Sequence, residues 1–197
     1  MPAPAVNAML RVGIGCAVLA ALGLAVLVAL TINDVPKSSQ RTQVAWGEVE
    51  TAYRQRAALV PAIIGAVRAV TSTQAELIAR IEARQAAVLA LKPDPAAPAE
   101  PAHFHDFMKV QDDLSVPLGL VLDLMRLYPD QRREASVRKA FDDLELAESR
   151  IVVTRSDYVA NARRHNSHIA DAPGAVVAKL FHPEARPMVA DFSASEP

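Results

Sequence analysis

The chain has 197 residues, of which 51% are hydrophobic, and its 21 Lys and Arg side chains nearly balance 22 Asp and Glu. This near-neutral charge argues against nucleic acid as a partner, because phosphate binding needs a basic face. Aromatic residues make up only 5% and glycines number seven, whereas Ala, Leu, Val, Arg and Glu are abundant. Such a composition favours helices over strands. The single cysteine, Cys16, excludes an intramolecular disulfide.

Residues 12–32 form a run of 21 residues without a charged side chain. At 1.5 Å per residue a helix of this length spans about 30 Å, the thickness of a bilayer core. A cleavable signal peptide is the alternative, but the run is longer than a typical signal and no small-x-small cleavage site follows it. A lipoprotein signal does not fit Cys16, because the apolar residues follow it. The sequence therefore predicts a short tail at 1–11 and a single-pass membrane helix at 12–32.

The basic residues that flank this span give a weak indication of its orientation. Arg11 is the only one before it, whereas Lys37 and Arg41 follow it closely. Because Lys and Arg are retained on the cytoplasmic side, this excess places the bulk of the chain in the cytoplasm. The margin is a single charge, so both orientations stay open.

The next segment, 36–70, is predicted to be a helix with one buried face, since its apolar residues recur every three or four positions. Pro61 lies in its middle and predicts a kink, because the proline ring pushes against the carbonyl of Ala57. Arg56 falls on or beside the apolar stripe. The stripe consists of Val49, Ala52, Tyr53, Leu59, Val60, Ile63, Val67 and Val70.

Two further segments complete the first half of a helical domain that we place at 33–173. A helix at 73–91 begins with a capping box, Thr73 and Glu76, although it could equally continue the first helix as one bent rod. Four prolines within 92–102 then predict a stiff, extended connection that forms no helix.

The second half contains two predicted helices, 103–127 and 131–170. In the first, Pro117 marks a kink or a restart capped by Ser115, and Asp130 caps the second. The apolar residues of the second helix follow a repeat near 3.5, as in a coiled-coil seam. This seam contains Val137, Phe141, Leu144, Ile151, Tyr158, Ala162 and Ile169. After it, 174–197 is predicted to hold a short apolar helix, 175–181, and an extended or loose tail. The predicted fold is an all-α, elongated antiparallel bundle of three or four long helices behind a transmembrane helix.

The sequence offers few groups that could carry chemistry. His165 and His168 are one helical turn apart and could face a common ion, but His165 also lies on the seam. His103 and His105 stand beside the proline-rich segment without regular ligand spacing. No P-loop, GxGxxG, GxSxG or HExxH motif occurs. We therefore predict no catalytic, cofactor-binding or metal-binding residues, no cofactor, and no enzyme activity.

Several polar side chains fall near the predicted seams: Arg56, Glu148, Arg155 and His165. They could pair across helices and so define the helix register. Alternatively, Arg56 and Arg155 bury only their aliphatic stems and reach water, which is the interpretation that we favour. Tyr158 should be buried between the last and first long helices. Its hydroxyl would then need a partner, with Arg56, Asn161 and His165 as candidates.

Three blocks of the sequence together resemble the LemA family of bacterial proteins. These are AWGEVETAYRQRAALVPAIIGAVRA at 45–69, LSVPLGLVLDLMRLYPD at 114–130 and AFDDLELAESRIVVTRSDYVANARRHNSHIADAP at 140–173, with FHPEARPMVADF closing the chain. The likeness covers most of residues 44–192, and Pro117, Ser149 and the pair His165 and Asn166 depart from the family's usual residues. It implies a membrane-anchored antiparallel helical bundle without established catalytic chemistry, which works in envelope-associated protein assemblies.

From these observations we predict a membrane-anchored, non-catalytic scaffold or adaptor. Its expected partners are other membrane or envelope proteins and the lipid bilayer around 12–32, and a homo-oligomer stays open. Long bundles offer extended faces instead of deep pockets, which suits partner binding. Two alternatives are a helical bundle that binds a metal or small ligand, and a membrane-surface binding module that uses 175–181.

Overall fold

The computed structural model describes residues 14–23, 25–26, 32–70, 74–130 and 133–192. In these residues the chain contains helices and no strand, which confirms the predicted all-α class. Among the described residues after 33 there are six helices, with one short 3-10 turn between the third and fourth. We label them α1 (Asp34–Ala58), α2 (Val60–Val70), α3 (Ala75–Ala90), α4 (Pro101–Arg126), α5 (Ala135–Ala170) and α6 (Gly174–Phe181), and the 3-10 turn is Ala97–Ala99.

The predicted membrane helix at 12–32 falls partly outside the described residues. Of that segment, 14–23 and 25–26 are helical. Within the part of the chain that the structure describes, no helix combines the length and the apolar character needed to cross a membrane. The transmembrane helix therefore stays a prediction.

The predicted opening helix is divided into α1 and α2, which meet at Leu59. The Leu59 amide donates to the carbonyl of Arg56 at 3.1 Å, a tighter turn than an α-helix makes. The cause is Pro61, which has no N–H and whose ring conflicts with the carbonyl four residues earlier. That carbonyl, on Ala57, accepts a hydrogen bond from Gln85 of α3 at 2.8 Å. The sequence predicted a kink at Pro61 within one helix, and the structure instead divides the segment at Leu59. Gln85 of α3 satisfies the carbonyl that the proline leaves without a backbone partner.

Several helix boundaries differ from the prediction. The proline-rich segment 92–102 was expected to form no helix, but it contains the 3-10 turn and the start of α4. Pro101 is the first residue of α4, a position where the missing N–H costs nothing because that donor has no partner within the helix. α5 begins at Ala135 and not at 131, since a turn precedes it in which the Arg133 amide donates to the Asp130 carbonyl. Thr73, the first residue of the predicted capping box, lies outside the described residues.

Of the two alternatives that the sequence left open at Pro117, a kink or a restart, the restart does not occur. α4 continues through Pro117, whose side chain is buried. The Ser115 hydroxyl caps no new helix but donates to the carbonyl of Gln111 one turn earlier, at 2.9 Å. A proline removes only one backbone hydrogen bond, and the packing of a helix of 26 residues outweighs that loss.

The helices run up and down the bundle, and the contacts between α1 and α5 establish that these two are antiparallel. As the chain advances along α1, its partners move back along α5. These contacts are Ser38–His165, Trp46–Tyr158 and Arg56–Glu148. α4 runs parallel to α1, since Trp46 contacts Phe104 and Arg56 contacts Gln111. The antiparallel bundle that the sequence predicts therefore forms.

Two clusters of buried side chains make up the core. The first, which we call the aliphatic cluster, joins α2, α3, the C-terminal half of α4 and the start of α5; it includes Ile63, Ile81, Leu114, Leu118, Met125 and Phe141. The second, the aromatic cluster, joins α1, the start of α4, the later part of α5 and the C-terminal residues; it includes Trp46, Tyr53, Phe104, Phe107, Tyr158 and Phe192. The predicted α5 seam is buried except at Ile169, which is half-buried.

Tyr158 lies at the centre of the aromatic cluster and is fully buried, as predicted. Its ring centroid is 5.4 Å from that of Trp46 and 5.6 Å from that of Phe192. Burial raises the pKa of the hydroxyl, so this group stays protonated. It donates to the carbonyl of Val189 at 2.6 Å and to none of the three partners that the sequence suggested. Of those three, Arg56 lies on α1 and Asn161 and His165 lie on α5, whereas the actual partner comes from the C-terminal segment that folds back onto α5.

Replacing Tyr158 tests the aromatic cluster. Tyr158→Ala should destabilise the protein by about 3–5 kcal/mol, from lost burial and the cavity that remains. Tyr158→Phe should cost only about 1 kcal/mol, because it removes just the hydrogen bond to Val189. The exposed Arg163→Ala is the control, with a change near zero. Thermal unfolding of the full chain in mild detergent, followed by circular dichroism, gives the comparison. Equal melting of Tyr158→Ala and Arg163→Ala would refute the assigned packing.

Candidate functional site

Arg56 lies where α1, α4 and α5 meet, and only 1% of its side chain is exposed. One terminal nitrogen, Nη1, donates to the Ser115 hydroxyl at 2.7 Å and to the Glu148 carboxylate at 3.3 Å. The other, Nη2, donates to the backbone carbonyl of Gln111 at 3.1 Å. A single side chain of α1 is thus bonded to both neighbouring long helices.

The expectation that Arg56 buries only its stem and reaches water is therefore wrong. Its guanidinium fork supplies donors in fixed directions, and α4 and α5 present acceptors at the matching positions. Two buried atoms of this centre, Arg56 Nε and Gln111 Oε1, have no hydrogen-bond partner among the described residues. Glu148 is 36% exposed, so the ion pair extends from the core to the surface. The buried Arg56 and its partners oppose any slip of α1 along α5, because a slip would leave the guanidinium of Arg56 unpaired.

The residues from His182 to Phe192, which we call the C-terminal strap, cross the bundle in an extended form. Asn166 of α5 holds the strap through two hydrogen bonds to the backbone of Met188, one donated and one accepted, both 2.8 Å long. The Val189 amide donates to the carbonyl of Pro98 at 2.8 Å. The sequence predicted an extended or loose tail, and up to Phe192 it is extended and bound.

The end of the strap closes the aromatic cluster. Phe192 is buried, and its ring centroid lies 5.2 Å from that of Phe104. The half-buried Arg155 places its guanidinium carbon 4.2 Å from the centre of the Phe192 ring, a cation–π contact. On the strap itself, Arg186 pairs with Glu100 at 2.7 Å. Apolar, cationic and backbone contacts therefore all hold the strap.

His165 is buried between the strap and the start of α1. Its Nε2 lies 3.1 Å from the carbonyl of Arg186, and its Nδ1 lies 2.9 Å from the Ser38 hydroxyl. A carbonyl only accepts, so Nε2 carries the proton. The single hydrogen of the Ser38 hydroxyl then has two acceptors within reach, Nδ1 of the neutral ring and the Val35 carbonyl at 2.8 Å. Burial lowers the pKa of His165 and nearby His168 adds to this, whereas the bond to Arg186 opposes it. The site therefore favours the neutral imidazole.

One protein-family comparison covers these residues. The model described as the LemA family matches residues 45–196, which include Arg56, Glu148, Tyr158, His165 and the strap. The chain belongs to the LemA family. The resemblance seen in the three sequence blocks and in FHPEARPMVADF at 181–192 is thereby confirmed. No curated protein matches the chain.

Three histidines of this LemA chain, His103, His165 and His182, have polar partners within the protein. Both ring nitrogens of His165 are engaged, so the ring does not turn towards an ion shared with His168. His103 contacts the Asp94 carboxylate at 2.9 Å on the exposed start of α4. In the described ranges no three His, Cys, Asp or Glu side chains form a group that could hold a metal ion.

The end of the bundle where α1 begins and α5 ends, which we call the base, carries α6. His182, just after α6, places Nε2 2.9 Å from the carbonyl of Ile32. Val177 and Ala178 of α6 are buried, whereas Leu180 and Phe181 are 70% and 50% exposed. A partly apolar surface therefore lies beside the last residue of the predicted span.

Sequence reasoning located Arg56, Glu148, Tyr158 and His165 but missed the groups that bind them. Ser38, Gln111 and Ser115 are ordinary helix residues, and the acceptors on Gln111, Arg186 and Val189 are backbone carbonyls that every residue carries. The spacing of Tyr158, His165 and Asn166 along one side of α5 was the available signal. It indicates a polar row beside the seam, but not that the strap covers it.

The pairing of Arg56 with Glu148 can be tested by Glu148→Gln, which keeps the size of the side chain and removes its charge. Removing one partner of a fully buried ion pair lowers the free energy of unfolding by about 3–5 kcal/mol. Because Glu148 is partly exposed, we expect Glu148→Gln to lower it by only about 1–2 kcal/mol. The control is Glu82→Gln in the exposed pair with Arg68, where the change should stay within about 0.5 kcal/mol. Chemical denaturation of both variants gives the comparison, and equal losses would contradict a special role for the buried pair.

His165 should make the stability of the protein depend on pH. Its pKa in the folded state lies below the unfolded value of about 6.5, so the unfolded chain binds the proton more readily. The free energy of unfolding that neutral His165 contributes is therefore fully present above about pH 6.5. It is lost as the pH falls towards the pKa of His165 in the folded state. His165→Gln removes the titration, so its melting temperature should fall less than that of the wild type between about pH 7.5 and pH 5. The control is the exposed His103→Gln, whose melting temperature should fall with pH as much as that of the wild type. If His165→Gln shows the same fall as the wild type, buried His165 is not the source of the pH dependence.

Proposed function

We propose that this protein is a membrane-tethered, non-catalytic interaction protein that serves as a scaffold or adaptor for envelope-associated assemblies. Residues 12–32 would anchor it, and the outer face of α5 would bind a helix of a partner protein. Membership of the LemA family is compatible with this role but does not itself define a partner.

The observation that carries the proposal is a row of exposed side chains on α5, which we call the outer stripe. Its spacing alternates between three and four residues, and it consists of Leu146, Ser149, Val153, Ser156 and Ala160. Leu146 is 70% exposed and Val153 is 58% exposed. At 100° per residue this row lies opposite the buried seam of the same helix. α5 therefore carries one heptad pattern that faces the core and a second that faces solvent.

The outer stripe has the properties of a helix-docking surface. Alternating spacing of three and four residues keeps a row of contacts in line with a second helix. Small Ser and Ala side chains between the larger Leu146 and Val153 allow a close approach of the two backbones, with the larger residues filling the gaps. A partner that covered the stripe would also remove its apolar atoms from water.

The tether is supported by the uncharged run at 12–32 and by the position of its end. Ile32 and Asn33 form a turn, and α1 begins at the next residue. This connection leaves no flexible linker between the run and the domain. The excess of Lys and Arg after the run favours the cytoplasmic side for the domain, by a margin of one charge.

Site-specific crosslinking in membranes tests both parts of the proposal. A photoreactive residue replaces Val153 in the full-length chain, and irradiation is followed by extraction of the membranes at alkaline pH. We expect a discrete adduct that stays in the membrane pellet. Leu146→Glu should reduce its yield about tenfold, as the loss of a central interface contact does.

The matched control carries the same photoreactive group at Val116, which is 65% exposed on α4. The outer stripe is refuted if position 153 gives no adduct, or if position 116 gives the same one. Release of the adduct by alkali would instead refute the anchor. The mass of the adduct separates a second copy of this chain from another protein.

A further inference from the structure

The base of the bundle is joined closely to the end of the predicted span. The hydrogen bond from His182 to the Ile32 carbonyl, 2.9 Å long, connects the residue after α6 to the last residue of the apolar run. On the other side of Ile32, the Lys37 amide donates to the Asn33 carbonyl at 3.3 Å as α1 begins. α6 is therefore held next to the point where the run leaves the domain.

The face of α6 that turns away from the bundle is apolar. Val176 is 51% exposed, Leu180 70% and Phe181 50%. Val177 and Ala178 of the same helix are buried against the domain. α6 has eight residues and is only about 12 Å long, so it is too short to cross a bilayer but long enough to lie on its surface.

Three basic side chains lie on α6 or near its first residue. Lys179 is part of α6, and Arg163 and Arg164 line a cavity that also includes Gly174, the first residue of α6. None of these three cations forms an ion pair within the described residues. Asp34 and Asp171 line the same cavity, so the excess of positive charge is small. The apolar residues provide the main attraction, and the basic ones add affinity for anionic headgroups.

We propose that α6 is an interfacial helix, which lies in the headgroup region of the same bilayer that 12–32 crosses. Val176, Leu180 and Phe181 enter the boundary between headgroups and acyl chains. This inference rests on the proposed anchor and extends it, since it gives the domain a second membrane contact and a defined orientation. Once the anchor is inserted, the second contact forms within one molecule, so that three apolar side chains suffice.

Fluorescence quenching in vesicles tests the proposal with the full-length chain. Cys16, the only cysteine, is changed to Ala, and Leu180→Cys then carries an environment-sensitive fluorophore. The protein is reconstituted into vesicles of phosphatidylcholine and phosphatidylglycerol at a ratio of about two to one, to supply anionic headgroups. A lipid with a nitroxide near the headgroup end of its acyl chain should remove about half of the emission, because an interfacial helix lies about 5–10 Å deep. Iodide in the aqueous phase should have little effect.

Two further variants complete the test. Val176→Cys should behave like Leu180→Cys, which shows that the result does not depend on one substitution. Val116→Cys, on an exposed face of α4, is the matched control and should be quenched by iodide but not by the lipid nitroxide.

The outcomes separate this inference from the anchor on which it rests. If the labelled protein floats with the vesicles but iodide quenches position 180, α6 is not interfacial and the anchor stands. If position 116 is quenched by the lipid as strongly as position 180, the domain lies on its side and the assignment to α6 is wrong. If the protein does not float with the vesicles, the anchor and the interfacial helix both fall.

Discussion

The antiparallel pairing of α1 with α5 is the constraint on which the rest of the structure depends. From Trp46 to Arg56 the contact advances ten residues along α1, and from Tyr158 to Glu148 it moves ten residues back along α5. The two helices therefore keep one register over this distance. An aromatic contact and a buried cation together enforce it, since a slip by one turn would break both. α2 and α4 are then placed by Pro61 and by the hydrogen bonds from Arg56.

The C-terminal strap is part of the core although it has no regular secondary structure. Without it, Tyr158 would lose the acceptor of its hydroxyl and Phe192 its place among the aromatic rings. Asn166 imitates a backbone partner by bonding both the amide and the carbonyl of Met188. This is how an extended segment crosses helices and keeps its buried polar groups satisfied. The strap also contacts His165 through the carbonyl of Arg186, so protonation of that ring would act where the strap attaches to α5.

The two proposed contact surfaces lie in different parts of the domain and are compatible with each other. The base would face the bilayer through α6, and the outer stripe of α5 runs from the middle of that helix towards the base. A helix that packs along the stripe would lie roughly parallel to the bundle axis, as the juxtamembrane part of another membrane protein does. A contact of α6 with lipid would restrict the tilt of the domain and so present the stripe in a constant direction.

The sequence by itself determined the helical class, the interruption at Pro61, the seam of α5 and the family, because periodicity, proline geometry and residue order are local properties. It also predicted the burial of Tyr158, which follows from the same periodicity. Only the tertiary structure decided what the buried polar groups bind. Arg56 meets Glu148 across 92 positions and Tyr158 meets Val189 across 31, and no local pattern encodes such distances. The favoured prediction for Arg56 was wrong for this reason: periodicity shows which face is buried, whereas the acceptors on that face come from other helices and from backbone carbonyls.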